Sequence, residues 1–524
     1  MKQLYLIITS CLLFLSQANA NNLVISGTPA YTDATKILRF NIQWDNSWCI
    51  NSGPSNWDGV WVFVKRQNCS GNNNWVHQKL STTSADHVAK IGANASTDVQ
   101  IDAVSDGMGV FIRRVGTVAN PNVVGSVPVQ TVYLKLDGSI TGTNPTGTTS
   151  ASDNFEVLGL EMVYVPQGPF YAGDGRSTNN YNFSNGTSAT PFLVDASKQA
   201  SGAGQATNYT NNVTYGSPVP LPSAFPLGYN GYYCMKYEAT VGIFVEFLNA
   251  LTYDQQTTIL QESSASNLPN VLNSYFDYPN SWGFWNRVTT IGVYNTVPAV
   301  FSAPYLFLAQ GGVVWRTMTA FLDWSGLRPM TEFEFEKACR GSNTVAQTPI
   351  AAVANEYPWG TTTITNSQLG SDYTNANSAL GANVEGPAFY TGWDGSSMRP
   401  GAFARSNTNR TQSGATYYGI MDMAGNCWEQ CVGGGGYDYS GFTAANGDGA
   451  LSSIGRANVT GWPANGGVAS GTIIRGGWWE IGGNTNRCQT SDRSFYAGYQ
   501  WNGDKSNMGY AKYNGARGVR SFSY

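Results

Sequence analysis

A helix with both of its ends marked is encoded in the stretch Arg328-Pro329-Met330-Thr331-Glu332-Phe333-Glu334-Phe335-Glu336-Lys337-Ala338-Cys339-Arg340-Gly341. Thr331 is placed to cap the first backbone N–H groups, and Glu334, three residues later, is placed to reach back to the capping residue. Gly341 suits the left-handed turn that ends such a helix. We interpret the three glutamates of the helix as a cap and a solvated face, with an acid/base cluster as the alternative.

Several other stretches frame this helix. They are residues 160–170, 233–240 and 422–429, and a tail with Arg475-Gly476-Gly477-Trp478-Trp479, Arg487-Cys488, Arg493 and Gly518-Val519-Arg520. Together with the helix they resemble the formylglycine-generating enzyme (sulfatase-modifying factor) family. The resemblance covers residues 154–524, with insertions near 179–217 and 267–304. It implies a loop-rich, C-type-lectin-like domain.

The family's oxidase chemistry depends on two cysteines that follow the Gly-Gly pair. In the catalytic members these cysteines hold the copper that activates oxygen, and soft Cu(I) prefers such thiolate ligands. The matching positions here are Ile481 and about Asn486, and Trp478 stands where the family has a pocket serine. Cys488 is the only cysteine after Cys431. We therefore expect the chain to keep the family's fold, to lack the family's oxidase chemistry and not to use copper as a cofactor.

The resemblance also implies a disulfide between Cys339 and Cys488. The partners of a second family disulfide fall on Leu322 and Ser521, so that bond is missing at both ends. The chain has eight cysteines, of which Cys11 lies in the leader. The odd number that remains requires at least one free or intermolecular thiol.

The other cysteines leave the pairing open. Cys49 and Cys69 flank a Trp-rich stretch, and we expect a stabilising bridge between them. For Cys427 and Cys431 we expect a local disulfide or one with Cys234, and a thiolate metal site is the alternative.

Calcium is the metal that the resemblance implies. Calcium takes about six to eight oxygen ligands, which are carboxylates, carbonyls and waters. The stretch 422–429 resembles the family's calcium loop, whose ligands would here be Asp422, Gly425, Cys427 and Glu429. A second site would use Asn375, Ala376, Asp394 and Ser396. The alternative for both is a plain turn with capping acids.

The N-terminus has the pattern of a secretory signal peptide. Lys2 precedes an apolar run at residues 4–15, and Ala18-Asn19-Ala20 is a small-x-small cleavage motif. We expect cleavage after Ala20 and a secreted chain, periplasmic or extracellular, with no membrane span.

Residues 21–153 predict an all-β module. Short β-branched and aromatic runs alternate there with Gly, Asn and Ser turns, and a β-sandwich is the natural way to bury such strands. The expected fold class is α+β, an N-terminal all-β sandwich followed by the loop-rich, formylglycine-generating-enzyme-like domain.

Composition narrows the function further. The net charge is −4 without a basic stripe, which argues against nucleic acid as a partner. The only two histidines, His77 and His87, lie in the N-terminal module and are interpreted as surface residues. Multi-histidine iron sites and Ser-His or Cys-His pairs are therefore excluded from the C-terminal domain.

The tail has the composition of a recognition surface. Residues 482–518 contain no Val, Ile or Leu, but they are rich in Asn, Ser and Gly and carry Tyr496, Tyr499, Trp501, Tyr510 and Tyr513. Rigid aromatic area combined with adaptable hydrogen bonding is typical of binding surfaces. The alternative is that these aromatics pack under loops.

Three functions remain open at this point. The first is a secreted, non-catalytic binding or adhesion module that recognises a glycan or protein through this tail. The second is a structural subunit of an extracellular assembly or of export or motility machinery, which would self-associate. The third is a copper-dependent formylglycine-generating oxidase.

Overall fold

The computed structural model describes residues 22–67, 73–141, 153–176, 182–183, 190–201, 221–263, 289–290, 298–303, 305–367, 384–385, 397–404, 408–433, 439–464, 471–479, 485–494 and 513–522. The expected signal peptide, Cys69 and most of the two expected insertions lie outside the described residues.

The N-terminal part is built from strands, as the alternating runs predict. These strands are β1 Val24–Thr32, β2 Ile37–Cys49, β3 Asp58–Gln67, β4 Trp75–Leu80, β5 Val88–Ile91, β6 Asn94–Ala95, β7 Val99–Ala103, β8 Val110–Arg114 and β9 Val123–Thr141.

Most strands of the C-terminal part are short. They are β10 Asn154–Val165, β11 Phe170–Ala172, β12 Phe192–Val194, β13 Tyr232–Met235, β14 Thr289–Thr290, β15 Phe301–Ser302, β16 Arg328–Thr331, β17 Ser342–Asn343, β18 Thr348–Pro349, β19 Asn366–Ser367, β20 Val384–Glu385, β21 Glu429–Val432, β22 Thr472–Arg475 and β23 Gly518–Ser521.

The α-helices all lie in the C-terminal part of the described chain. They are α1 Ala196–Ser201, α2 Val241–Asn249, α3 Tyr253–Ser263, α4 Trp315–Trp324, α5 Glu332–Arg340 and α6 Arg410–Ser413. Helical residues make up 16% of the described part of the chain, which is mostly β-sheet with few helices, in agreement with the expected α+β class. The narrower expectation of an N-terminal sandwich stays a prediction.

A single sheet joins the two parts of the chain. Its strands follow the order β1-β2-β9-β4-β3-β10-β13-β23-β16-β21-β22, with β5 to β8 attached at the side. The junction is the antiparallel pair β3–β10, whose register runs from Asn154 opposite Gln67 to Val163 opposite Asp58. The border that the sequence places between residues 153 and 154 therefore falls at the first residue of a strand that pairs with both parts.

Strand β3 contributes to two hydrophobic cores because successive side chains of a strand point to opposite faces. Val60, Val62 and Val64 pack with the apolar residues of β2, β8 and β9 in the N-terminal part. Trp61 and Phe63, on the other face, belong to a second core that includes helices α2 and α4. The N-terminal strands are thus packed directly onto the C-terminal helices.

Helix α2 has a capped N-terminus and one apolar face. Thr240 is the N-cap, and its side chain accepts a hydrogen bond from the backbone N–H of Ile243. The apolar face of the helix is buried, including Val241, Phe244 and Leu248. No helix in the described part of the chain has the length and hydropathy needed to cross a membrane.

Both histidines are buried, which corrects their interpretation as surface residues. The side chain of His77 lies between the two parts of the chain, where its Nε2 is 2.8 Å from the carbonyl oxygen of Met108. His87 is held by the carbonyl of Ser81 and by the backbone N–H of Lys135. These hydrogen bonds satisfy ring nitrogens that burial removes from water.

Candidate functional site

Helix α5 has the capping box that its sequence predicts. The side chain of Thr331 accepts from the N–H of Glu334 at 3.2 Å, and the carboxylate of Glu334 accepts from the N–H of Thr331 at 3.0 Å. The same carboxylate receives two bonds from the guanidinium of Arg328. The capping glutamate is therefore also one half of a buried ion pair.

The other two glutamates of α5 are also buried, which corrects the expectation of a solvated face. Glu332 accepts hydrogen bonds from Arg475 at 2.8 Å and from Arg493 at 2.6 Å. Glu336 accepts from Arg475 at 2.8 Å and pairs with Arg340. Two buried arginines from distant segments, Arg475 and Arg493, and Arg340 of the helix itself thus neutralise these carboxylates, and the cluster joins the tail to α5.

The Gly-Gly pair makes a turn that only glycine fits without strain. Gly476 and Gly477 have φ angles of +87° and +84°. The carbonyl oxygen of Gly476 accepts from the N–H of Gly425 at 2.8 Å, which ties the turn to the stretch 422–429. A Cβ atom at Gly476 would overlap the carboxylate oxygen Oε2 of Glu429. The Gly-Gly turn and the stretch 422–429, which is the expected calcium loop, are therefore in direct contact.

Aromatic side chains fill the region beneath this turn. The rings of Trp428 and Trp478 are stacked at a centroid distance of 5.0 Å, and Trp479 and Tyr513 lie 4.8 Å apart. All four side chains are buried in one hydrophobic cluster, which also contains Cys488. Trp478 and Trp479 are therefore core residues.

Tyr513 is an exception to the predicted recognition surface. Its side chain is 7% exposed and packs against Trp478 and Trp479. Its backbone carbonyl accepts from the N–H of Trp428 at 2.8 Å. Tyr513 is therefore a core residue, because the chain returns at this point to the centre of the domain. The other predicted ligand-binding residues lie outside the described residues and are Tyr496, Tyr499, Trp501 and Tyr510.

The stretch 422–429 forms an acidic site around one arginine. The carboxylate of Glu429 accepts from Arg517 at 3.2 Å, and the same guanidinium donates to the carbonyls of Met421 and Asp422. Glu238 accepts from the backbone N–H of Cys427 at 2.9 Å and from the side-chain amide of Asn426. The carboxylate of Asp422 accepts from the N–H of Gly401 at 2.5 Å.

Carboxyl groups outnumber arginines among the contacts described at this site. Burial raises the pKa of Glu429 to about 8, although Arg517 opposes the shift. Burial and the neighbouring Glu429 raise the pKa of Glu238 well above its usual range. Burial also raises the pKa of Asp422 to about 6. In addition, the buried Oε2 atom of Glu429 has no hydrogen-bond partner among the residues that the structure describes.

These features fit a small cation that prefers oxygen ligands. An unpartnered, buried carboxylate oxygen is costly unless a proton or a cation satisfies it. Among the described residues, no three His, Cys, Asp or Glu side chains gather as metal ligands. A cation here would therefore need backbone carbonyls or waters in addition to carboxylates, which is the mixture that calcium accepts. The residues of the expected second site lie outside the described ranges and are Asn375, Ala376, Asp394 and Ser396.

The expected disulfide between Cys339 and Cys488 is not formed. Both are buried free thiols. Cys339 packs with Cys234 and Cys431 among α5, β13 and β21, whereas Cys488 packs under the Gly-Gly turn with Cys427. The two cysteines expected to bond thus belong to different hydrophobic clusters. Cys49, expected to pair with Cys69, is also a free, buried thiol.

Burial keeps these thiols in their protonated form. It raises the pKa of Cys234 to about 12 and raises the pKa of Cys339, Cys431 and Cys488 as well. Because the thiolate is the nucleophile and the metal ligand, these cysteines are chemically inert in this environment. Of the two positions that replace the family's catalytic cysteines, Asn486 is exposed and Ile481 lies outside the described residues.

Two residues of the acidic site were not identified from the sequence as site residues. Glu238 follows β13, and Arg517 precedes β23. Both lie in stretches that carry the family resemblance, but an acid and an arginine separated by 279 residues show no local pattern of contact. One feature could have identified Glu238: it is a charged residue next to a strand whose sequence predicts full burial.

Comparison with known families agrees with this geometry. Residues 149–511 match the model of the family described as sulfatase-modifying factor enzyme 1-like domain. Comparison with individually characterised proteins finds no match. The match covers more than half of the chain and includes α5, the carboxylates of the acidic site and the Gly-Gly turn, whereas Arg517 lies just beyond it. The chain therefore belongs to the sulfatase-modifying factor family.

Proposed function

We propose that this protein is an exported, non-catalytic binding module on a sulfatase-modifying-factor scaffold. Its ligand would be a glycan or a protein, met mainly through the Tyr-, Trp- and Asn-rich segment after Asn484. The proposal combines the family membership of residues 149–511 with the replacement of the two catalytic cysteines by Ile481 and about Asn486. Export rests on the signal-peptide pattern, with cleavage after Ala20.

The stacking of Trp428 on Trp478 is the observation that carries this proposal. Trp478 replaces the family's pocket serine, and its buried ring occupies space beneath the Gly-Gly turn together with Tyr513. A substrate cysteine would have to displace this packed aromatic cluster. Burying a Trp ring stabilises the fold by a few kcal/mol, so displacing one would be expensive.

A structural role in an assembly is the second candidate. Among the described strands β1 pairs only with β2, so β1 forms one end of the sheet. An edge strand presents unpaired backbone N–H and C=O groups that a neighbouring chain can extend. Self-association of this protein through β1 would fit that geometry.

Calcium at the acidic site is part of the proposal. Glu429 and Asp422 would supply carboxylate oxygens, and Gly425 and Cys427 would supply carbonyls. The unpartnered Oε2 atom of Glu429 and the excess of carboxylates over Arg517 support this assignment. The cation would neutralise the stretch 422–429 and hold it against the Gly-Gly turn.

The functional test compares binding with oxidation in the purified exported protein. We expect saturable binding to an immobilised glycan or protein panel, and loss of that binding in Tyr496→Ala and Trp501→Ala. Phe307→Ala, which changes an exposed aromatic outside the segment, is the matched control and should bind normally. Copper-dependent oxidation of a cysteine-containing peptide would contradict the proposal and favour the oxidase. Concentration-dependent self-association without ligand binding would favour the assembly subunit.

A further inference from the structure

A polar cavity lies at the seam between the N-terminal strands and the C-terminal helices. Its volume is about 380 Å³, which is at the lower end of the range for small-molecule pockets. The amide side chains of Gln67, Asn73, Asn74 and Asn249 line it, together with the ring of Trp75. The cavity is separate from the acidic site and from the aromatic cluster under the Gly-Gly turn.

The N-terminal wall of the cavity is the turn end of the β3–β4 hairpin. Gln67 and Trp75 are cross-strand partners at this end. The side chain of Gln67 donates to the carbonyl of Asn73 at 2.8 Å and accepts from the side chain of Asn154 at 2.9 Å. These bonds hold the wall in one conformation before any ligand arrives, which lowers the entropy cost of binding.

The C-terminal wall is equally fixed. Asn249, the last residue of α2, accepts from the backbone N–H of Phe301 at 2.7 Å and donates to its carbonyl at 3.2 Å. Gln256 makes the same pair of bonds with Ala299, each at 2.9 Å. Two amide side chains thus hold the segment 298–301, whose Val300 stands at the rim of the cavity with 49% of its surface exposed.

Hydrogen-bonding capacity remains at both walls. A side-chain amide has two N–H donors and two acceptor lone pairs, and Asn249 uses one donor and one acceptor on Phe301. The exposed amide of Asn73 makes no hydrogen bond within the part of the chain that the structure describes. The cavity therefore offers paired donors and acceptors next to an aromatic ring.

The lining selects against charged ligands. None of the lining residues that the structure describes carries a charge, so an anion would find no Lys or Arg partner. One turn before Asn249, Glu246 is hydrogen-bonded to Glu156, and burial raises the pKa of Glu156 to about 8. Glu246 thus places an acidic group, not a cation, on the same helix as Asn249. Carboxylated or sulfated ligands are thereby disfavoured.

We propose that this cavity is a binding site for a neutral carbohydrate of one or two sugar units. Sugar hydroxyls both donate and accept, as the side-chain amides of Asn73 and Asn249 do. Trp75 offers an apolar ring surface for the C–H face of a sugar ring, while the apolar Leu251 and Val300 complete the wall. The site is distinct from the C-terminal segment to which the proposed function assigns recognition.

Calorimetric titration of the full exported protein with neutral saccharides tests this proposal. The probes are glucose, galactose, mannose, N-acetylglucosamine and their disaccharides. We expect at least one of them to bind saturably in the millimolar range. Asn73→Asp places a carboxylate in the cavity at an exposed position and should weaken this binding about tenfold or more. Trp75→Phe keeps an apolar ring on the core and should weaken it less.

The controls separate this site from the C-terminal segment. Asn94→Asp makes the same change at an exposed position outside the cavity and should leave the affinity unchanged. Trp501→Ala should also leave it unchanged, whereas it should abolish the binding described under the proposed function. The inference is wrong if no neutral saccharide binds, if only charged saccharides bind, or if Asn73→Asp and Trp75→Phe, with unchanged thermal unfolding, both retain full affinity.

Discussion

The Nζ atom of Lys65 lies 2.6 Å from the backbone carbonyl oxygen of Trp324, which ties strand β3 to the end of helix α4. The same amino group donates to the carbonyl of Gly449 at 3.1 Å and lies 3.2 Å from Nδ1 of His77. Three acceptors thus surround it, and burial lowers the pKa of Lys65 well below its usual range. His77 then carries its proton on Nε2 and donates to Met108, and burial lowers its pKa in agreement with a neutral ring.

Replacing Lys65 by Met removes this tie while keeping a side chain of similar length. The carbonyls of Trp324 and Gly449 would then be buried without a donor, at about 1–3 kcal/mol each. We expect the free energy of unfolding to fall by about 2–4 kcal/mol, measured by chemical denaturation. Lys36→Met, at an exposed turn, is the control and should change stability by less than about 0.5 kcal/mol. An equal effect of both variants would contradict the role of Lys65.

Arg475→Met tests the buried ion pairs of helix α5. The variant leaves Glu332 and Glu336, both fully buried, each short of a partner. Breaking a buried pair by removing one partner costs about 3–5 kcal/mol, and we expect a loss of this size. Arg39→Met removes an exposed arginine and should be nearly neutral. A stability close to wild type for Arg475→Met would show that the cluster does not support the domain.

Gly476→Ala tests the contact between the Gly-Gly turn and Glu429. Gly53 is the matched control because it also has a positive φ, +65°, but a Cβ there would have no neighbour within 4 Å. Both substitutions cost about 1–3 kcal/mol for the backbone conformation. Only Gly476→Ala adds the overlap with Glu429, so we expect it to lose about 1–3 kcal/mol more. The difference between the two unfolding free energies measures the overlap alone, and a difference of zero would contradict it.

The acidic site predicts a calcium effect that depends on pH. The folded pKa of Glu429, about 8, lies above the value of about 4.3 for an unfolded glutamate. Without a cation the folded state therefore holds the extra proton, and stability falls as pH rises through this window. Calcium binds the ionised form, so we expect it to raise the thermal midpoint more at pH 8 than at pH 5.

Two variants isolate this effect. Glu429→Gln should remove the calcium response and reduce the pH dependence. Glu156→Gln removes a carboxyl whose pKa is also raised to about 8 but which lies away from the acidic site, so its calcium response should stay intact. A calcium response that survives Glu429→Gln would place the cation elsewhere.

The local features of the fold could be predicted from the sequence, and the long-range ones could not. The capping box of Thr331 and Glu334 is complete within four residues, so its pattern determines its structure. The burial of Glu332 depends on Arg475 and Arg493, which are 143 and 161 residues away. From the sequence of the helix alone, Glu332 is therefore predicted to face the solvent. His77 was misplaced for the same reason, because Lys65 and Met108 enclose it only after the two parts dock.

Cysteine positions show the same limit. The family pattern links Cys339 to Cys488, but which thiols come close together depends on how the tail packs against the rest of the domain. In the folded chain Cys488 lies near Gly425, and Cys339 lies beside Cys431. Motif spacing alone does not contain this information.

The continuous pairing of β3 with β10 makes the family domain a poor candidate for excision. Cutting the gene at residue 153 would strip one side of β10 along the ten positions that now face β3. Exposed strand margins of that length recruit other polypeptides and drive insoluble aggregates. Expression trials, domain grafting and recombination between relatives would therefore have to keep the N-terminal strands and the family domain together in one polypeptide.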